Sequence, residues 1–171
     1  FVGSDVRALV HSGQAEYVPI SLTQIPHLTA NGRIRTDVAF VQVSPPDTHG
    51  FVSLGTSVDI TMSVLRYPKT IVAEVNPFMP RTLGDTFLHV DRIDRFVRVE
   101  RPLAEYAHQP ADTVTQCIAR YAAEIIEDGA TLHVALGRIP NETLKHLHNR
   151  RDLGIHSNVI TDPVLDLIEQ G

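Results

Sequence analysis

The sequence predicts an α/β protein of open, mostly parallel sheets with crossover helices, and two observations carry that prediction. Short apolar runs alternate with helix-period segments almost to the end of the chain, the pattern of strands joined by crossover helices. Polar residues crowd at the carboxyl ends of the strongest apolar runs, where an open parallel sheet keeps its functional crevice. The size permits such a fold: 171 residues, 43% hydrophobic and 20% charged, can bury a core and are not disordered.

Val6 to Gly13 reads as a short helix stopped by glycine, and "EYVPI" as a strand. Ser21 is the expected N-cap of a helix through "SLTQIPHLTANG", closed by Asn31-Gly32. "DVAFVQVS" is the clearest strand, apolar enough along its length for both faces to be covered. It runs into "PPDTHG", whose prolines and glycine cannot continue a sheet. "FVSLG" reads as a short strand, "VDITMSVLRY" as a helix, and "KTIVAEV" as a second buried strand ending at "NPFMPRT". "RFVRVE" alternates charge with apolar residues and belongs nearer an edge.

After Pro102 the composition changes, and "RPLAEYAHQPADT" reads as a linker region. The expected division is residues 1–103, a linker at 104–111, and 112–171. A long amphipathic helix is expected from about Asp112 to Asp128, with Ile118, Tyr121, Ala122, Ile125 and Ile126 toward the core and Gly129 ending it. "ATLHVAL" is then a strand, "PNETLKHLHNR" a helix with Pro140 near its start, and "LGIHS" a strand. "DPVLDLIEQ" is a helix capped by Asp162, with Pro163 at its first position.

Several classes are excluded by the totals. A formal net charge of -5 with 15 dispersed Lys and Arg argues against a nucleic-acid binder. No apolar run reaches membrane-spanning length, so no membrane partner is expected. The single cysteine, Cys117, leaves no internal disulfide and suits a reducing compartment, so the cytoplasm is expected. Beginning at Phe1 without a charged leader, the chain reads as a piece of a longer polypeptide.

Three loops collect the reactive residue types. "SPPDTHG" supplies Asp47 and His49, "NPFMPRT" supplies Asn76, Arg81 and Thr82, and "GIHSNVITDP" supplies His156, Ser157, Asn158, Thr161 and Asp162. Following strands of an open parallel sheet, the three are expected to meet in one crevice. Each also has an ordinary reading: "PPDTHG" as a rigid turn, Arg81 as a solvated or ion-paired surface group. "LGRIPNETL" is a strand-to-helix turn presenting backbone N–H groups, though its one glycine, Gly137, makes no nucleotide-binding motif. The nine histidines show no HExxH or Cys/His pairing, so neither a metal nor a cofactor is expected. His146 and His148, two apart, point apart on a helix, and His133 reads as a strand histidine. No GxSxG elbow is present, and Cys117 reads as a packing residue of its helix.

The blocks "VSPPDTHGFVSLGTSVD", "VNPFMPRTLGDTFLH", "IIEDGATLHVALGRIP" and "DLGIHSNVITDPVLDLIEQG" run in order through nearly the whole chain. Together they resemble the acetyl-CoA hydrolase/transferase family. The resemblance implies two similar open α/β domains in one longer polypeptide, usually a homodimer, that moves coenzyme A from an acyl-CoA to a small carboxylic acid. Coenzyme A would be substrate, not cofactor. This chain would hold the later part of the first domain and the beginning of the second, and would need the remaining segments of the parent chain to complete the site.

In that family the nucleophile is a glutamate directly after the "HS" of GIHS, and an ungapped count from "EDGATL" places Asn158 there. The glutamate attacks the thioester to give a mixed anhydride, which the released thiolate converts to an enzyme-bound CoA thioester. An asparagine amide is neutral and a poor nucleophile. It can still position a water or a carboxylate by hydrogen bonds. Four explanations stand: an introduced change, a naturally inactive or regulatory member, hydrolysis through water, or a nucleophile elsewhere. A catalytically silent CoA-binding or assembly domain is therefore the alternative to a transferase or hydrolase.

By the same resemblance Val134, Ala135, Leu136 and Gly137 form the loop whose N–H groups lie near the thioester oxygen. Ser44, Pro45, Pro46 and His49 on one loop, and Asn76, Met79, Pro80, Arg81 and Thr82 on another, would wall the carboxylate pocket. Arg92 lines up with a basic residue near that pocket, and a guanidinium suits a carboxylate. Its structural alternative is an ion pair with Asp91 or Asp94.

Overall fold

A computed structural model describes residues 2–106 and 109–170; Ala107 and His108 of the expected linker lie outside them. The chain divides into two compact units, Phe1–Leu103 and Ala104–Gly171. Each is an α/β assembly built on parallel strand pairs.

The first unit opens with helices α1 (Ser4–His11) and α2 (Ile25–Ala30). Its main sheet has the order β1 (Val38–Val43), β3 (Thr70–Val75), β5 (Arg95–Arg98), all parallel. The register runs from Val38↔Thr70 to Val43↔Val75 and from Val72↔Arg95 to Val75↔Arg98. An antiparallel pair, β2 (Phe51–Ser53) and β4 (Phe87–His89), sits apart from it in the hydrogen-bond ladder. Alternation along β1 turns Ala39, Val41 and Val43 into a core shared with Val52, Leu54, Leu65, Ile71, Ala73, Leu88 and Ile93.

Three local expectations change here and a fourth holds. "EYVPI" forms no strand: Glu16 to Pro19 are exposed, and β propensity without a partner strand builds no ladder. β1 is not covered on both faces, since Phe40 is 79% exposed. The "VDITMSVLRY" helix contracts to α3 (Thr61–Val64), whose start is held by Asp59 Oδ1 accepting from the Thr61 amide and hydroxyl. Pro68 bars its continuation. "RFVRVE" does occupy an edge, as β5.

In the second unit α4 (Thr113–Glu124) starts at Asp112, whose Oδ1 accepts from the Thr115 amide at 2.7 Å. Its packed face differs from the expected one. Thr115, Ala119 and Ala123 are buried, whereas Ile118, Tyr121 and Ile125 are exposed. Small residues at i, i+4 and i+8 let α4 lie close on α5 (Arg138–Lys145). The helix also ends before Gly129, which takes φ +75 in the following turn. β6 (Thr131–Leu132) and β7 (Gly154–Ile155) pair in parallel and are shorter than the apolar runs containing them, leaving exposed His133 just past β6. α6 (Asp162–Gln170) includes Asp162 as its first residue, with Pro163 second, one position from the sequence reading. Ala123, Val134, Leu144, Leu147 and Val164 form this unit's core.

Candidate functional site

In the first unit, β1 and β3 end side by side, so the loops leaving them start as neighbours. Ser44 continues from β1 to β2: its amide donates to the Ser53 carbonyl and its Oγ accepts from the Ser53 amide, both at 2.9 Å. Pro45 and Pro46 then turn the chain outward and are exposed, as is His49. Asp47 closes the loop on itself, its Oδ1 accepting from the amides of His49 at 2.9 Å and Phe51 at 2.8 Å. Gly50 takes φ +81, which strains an L side chain, and a Cβ there would stand 2.9 Å from His89 Nε2 and have to displace the ring.

The loop after β3 is anchored by Asn76, which is fully buried. Its Nδ2 donates to the Arg101 carbonyl at 2.8 Å and its Oδ1 accepts from the Phe78 amide at 3.1 Å. Met79 is buried against Gly55, and Pro80 is exposed. Arg81 crosses to the first loop. Its guanidinium donates to the Phe51 carbonyl at 3.0 Å, pairs with Asp47 Oδ2, and lies 4.5 Å from the Phe87 ring centroid. Thr82 donates from its Oγ1 to the Gly55 carbonyl at 2.9 Å and from its amide to Ser53 Oγ at 3.2 Å.

The structure thus fastens the "SPPDTHG" and "NPFMPRT" loops together, and Arg81 takes the ion-paired reading. Ser53 and Thr86 complete the seam, Thr86 Oγ1 donating to the Thr82 carbonyl at 2.7 Å; the sequence reading missed both. A polar residue in "VSLG", next to an apolar pair, was the one available signal. Arg92 meets neither neighbouring aspartate. It donates to the Leu65 carbonyl at 3.3 Å, while Asp91 lies 3.2 Å from His89 Nδ1 and Asp94 Oδ2 accepts from the Ile71 amide.

The Phe51 amide, followed by the His49 amide and the Arg81 charge, holds the Asp47 carboxyl below the usual carboxylate range against the opposing effect of desolvation. A depressed folded-state pKa contributes stability that is present above the unfolded value and is lost as pH falls through the folded one. Asp47→Asn is therefore expected to lower the thermal midpoint at neutral pH, with the difference from wild type shrinking below about pH 4. A gap that stays constant from pH 7 to pH 3 would count against this role for the carboxylate.

In the second unit, the loops after β6 and β7 lie side by side because their strands pair in parallel. The last backbone bond is His156 N–H to the Leu132 carbonyl at 2.9 Å. Beyond it, Ser157 Oγ donates to the Val134 carbonyl at 2.6 Å. Val134 is buried, Ala135 and Leu136 are exposed, and Gly137 takes φ +150 as the N-cap of α5. Asn158 is exposed beside Ser157. Thr161, buried, donates to Asn141 Oδ1 at 2.9 Å and joins the start of α6 to α5. Of the nearby carboxylates, Glu142 pairs with Lys145 at 2.9 Å and Asp162 opens α6. The "GIHS" and "VALG" segments are thus brought together within this unit.

Among the described residues, no group of three or more His, Cys, Asp or Glu could hold a metal ion. No helix among them is long and apolar enough to cross a membrane. Cys117 is a free thiol, half-buried on α4.

Comparison with known proteins gives the family. A family model described as "Acetyl-CoA hydrolase/transferase N-terminal domain" matches residues 1–105. The 4-hydroxybutyrate coenzyme A transferase of Clostridium kluyveri is 43% identical over 171 residues, 100% of this chain and 40% of that protein. The crystal structure of RipA from Yersinia pestis superposes with a TM-score of 0.91 at 33% identity, over 100% of this chain and 41% of that one. A 4-hydroxybutyrate CoA-transferase from Porphyromonas gingivalis gives a TM-score of 0.83 at 33% identity, over 99% and 44%. The chain therefore spans about 40% of the length of the curated relative. With the family model matching residues 1–105 of 171, the chain belongs to the acetyl-CoA hydrolase/transferase family.

Proposed function

We propose that the full-length protein moves coenzyme A between an acyl-CoA and a small carboxylic acid, or delivers the acyl group to water. The observation that carries the reading is the side-by-side placement of the "VALG" and "GIHSN" loops past a parallel strand pair. On this reading the backbone N–H groups of the glycine-bearing turn would serve the thioester oxygen and the exposed position 158 would face the thioester carbon. The fastened loops of the first unit, from Ser44 to His49 and from Asn76 to Thr82, are the proposed walls for the acid, with Arg92 a cation near it. A homodimer in the cytoplasm, completed by the remaining segments of the parent chain, belongs to the same reading, supported by the family membership and the lone cysteine.

Chemistry at position 158 depends on charge. A carboxylate there would attack the thioester carbonyl, expel the CoA thiolate and form a mixed anhydride. The thiolate would then attack the enzyme-side carbonyl and release the acyl group as a free carboxylate, leaving a CoA thioester on the enzyme. Asn158 cannot begin this sequence, and that observation favours a second reading, a silent CoA-binding domain.

Intact mass of the full-length protein after incubation with acetyl-CoA separates the readings, with wild type compared to Asn158→Glu and thiol release followed in parallel. A CoA-sized adduct already present with Asn158 supports transfer through another nucleophile. Thiol release without an adduct supports hydrolysis. An adduct only in Asn158→Glu shows a competent scaffold silenced at one residue, the second reading. Neither adduct nor thiol release from either protein would sink the thioester assignment.

A further inference from the structure

We propose that Ser157 is a positioning residue whose hydroxyl sets the side chain at 158 against the 134–137 loop. This rests on the reading of those two segments as the thioester site. The β6–β7 ladder ends at the Leu132↔Ile155 pair, and the last backbone bond, from the His156 amide, stops one residue short of Ser157. Past that point the backbone gives no further rung. Ser157 supplies one with its side chain, donating to the Val134 carbonyl at 2.6 Å, the short end of hydroxyl–carbonyl distances.

The far end of that rung is fixed. Val134 is 6% exposed and packs with Leu144, Leu147 and Val164, so its carbonyl does not drift with the loop. The same Ser157 Oγ accepts from the Val159 amide at 3.4 Å. One oxygen thereby ties both neighbours of residue 158 while residue 158 itself stays exposed. Ser157 touches no reacting atom in this account. Its effect is on where the side chain of 158 stands relative to the amides after Val134, and a displacement of about 1 Å at such a site costs on the order of 10²-fold in rate.

Two measurements on the full-length protein test this. The first is hydrogen exchange, read on wild type, Ser157→Ala and Ser157→Thr. Peptides covering 133–137 and 156–160 are expected to exchange roughly 5- to 10-fold faster in the alanine variant only, as for a lost hydrogen bond of about 1 kcal/mol, because threonine keeps the hydroxyl. The second is CoA exchange between acetyl-CoA and propionate in the Asn158→Glu background. Adding Ser157→Ala is expected to lower kcat by about 10- to 100-fold with KM for acetyl-CoA nearly unchanged, and Ser157→Thr to restore most of it.

Unchanged exchange in Ser157→Ala would overturn the proposal. So would a fall in kcat that comes with an equal rise in KM and that threonine fails to rescue, since that pattern marks general loosening. If Asn158→Glu shows no turnover, the thioester reading fails by itself, and the exchange experiment still decides whether Ser157 holds the turn.

Discussion

Gly55→Ala is expected to cost the first unit about 2–5 kcal/mol, seen as a lower urea midpoint with an unchanged slope. Two separate penalties add. Gly55 has φ +59, a left-handed conformation that costs an L-residue about 1 kcal/mol or more. A Cβ there would also stand 2.2 Å from Met79 Sδ, 2.6 Å from Met79 Cγ and 2.8 Å from the Pro80 carbonyl oxygen. Met79 is 4% exposed and has little room to retreat, and the Pro80 oxygen is backbone. Moving that backbone drags Thr82, which is held by its Oγ1 on the Gly55 carbonyl and its amide on Ser53 Oγ. The same movement shifts Arg81 off Asp47, so the ion pair between the two loops should be lost together with the stability. A midpoint within error of wild type would show that the "SLG" turn does not set the position of the "NPFMPRT" loop.

Local chemistry made β1 and β3 of the first unit legible, though not β4, and it suggested a strand at "EYVPI" that does not form. β1 and β3 are apolar runs cut off by Pro-Pro and Asn-Pro, and such punctuation fixes where a strand stops and a loop begins. Asp47, His49, Asn76, Arg81 and Thr82 at those ends could be named for the same reason, whereas Ser44, Pro45, Pro46, Met79 and Pro80 came only from the family resemblance. What they do there was less readable. Asp47 and Arg81 look like chemistry in a sequence, yet the structure uses them to brace one loop on another, a pairing 34 residues apart that no local pattern shows. Ser53 is a strand serine of ordinary appearance, and its network with Thr82 and Thr86 exists only once β2 pairs with β4.

The second unit shows the opposite imbalance. Helical period placed the start of α4 correctly and its end four residues late. It put Ile118, Tyr121 and Ile125 on the wrong face, because they outweigh Ala119 and Ala123 in any hydrophobicity count, while Ile126 does pack on the core. Packing on α5 selects the small residues instead. "ATLHVAL" and "LGIHS" contain their strands but do not bound them, since two short parallel segments pair only as far as both backbones stay aligned. Where that alignment ends is what brings Ser157 to Val134, so the contact at the candidate site was the least legible feature of all.

Asn76→Asp is expected to destabilise the first unit by about 2–4 kcal/mol at pH 7 and by much less at low pH. The two side chains are nearly isosteric, so packing is unchanged and the effect is electrostatic. Asn76 is 0% exposed, and its Nδ2 donates to the Arg101 carbonyl at 2.8 Å. Aspartate puts an oxygen there, acceptor against acceptor, in a site that water does not reach. Arg101 gives little relief, because its guanidinium is turned to Glu74 Oε1 at 2.6 Å and is mostly exposed. Protonation restores a donor, so burial and the carbonyl should push this carboxyl above the usual range. A raised folded-state pKa for an acid means that stability is kept below the unfolded value, near pH 4, and is lost as pH rises through the folded one. Urea unfolding at pH 4 and pH 7 measures this, with Asn76→Leu as the control: it loses the same two bonds without a charge and should show a penalty independent of pH. Parallel pH curves for the Asp and Leu variants would mean that the Asn76 site admits water, and that the "NPFMPRT" loop is held by Met79 and Thr82 instead of by its buried amide.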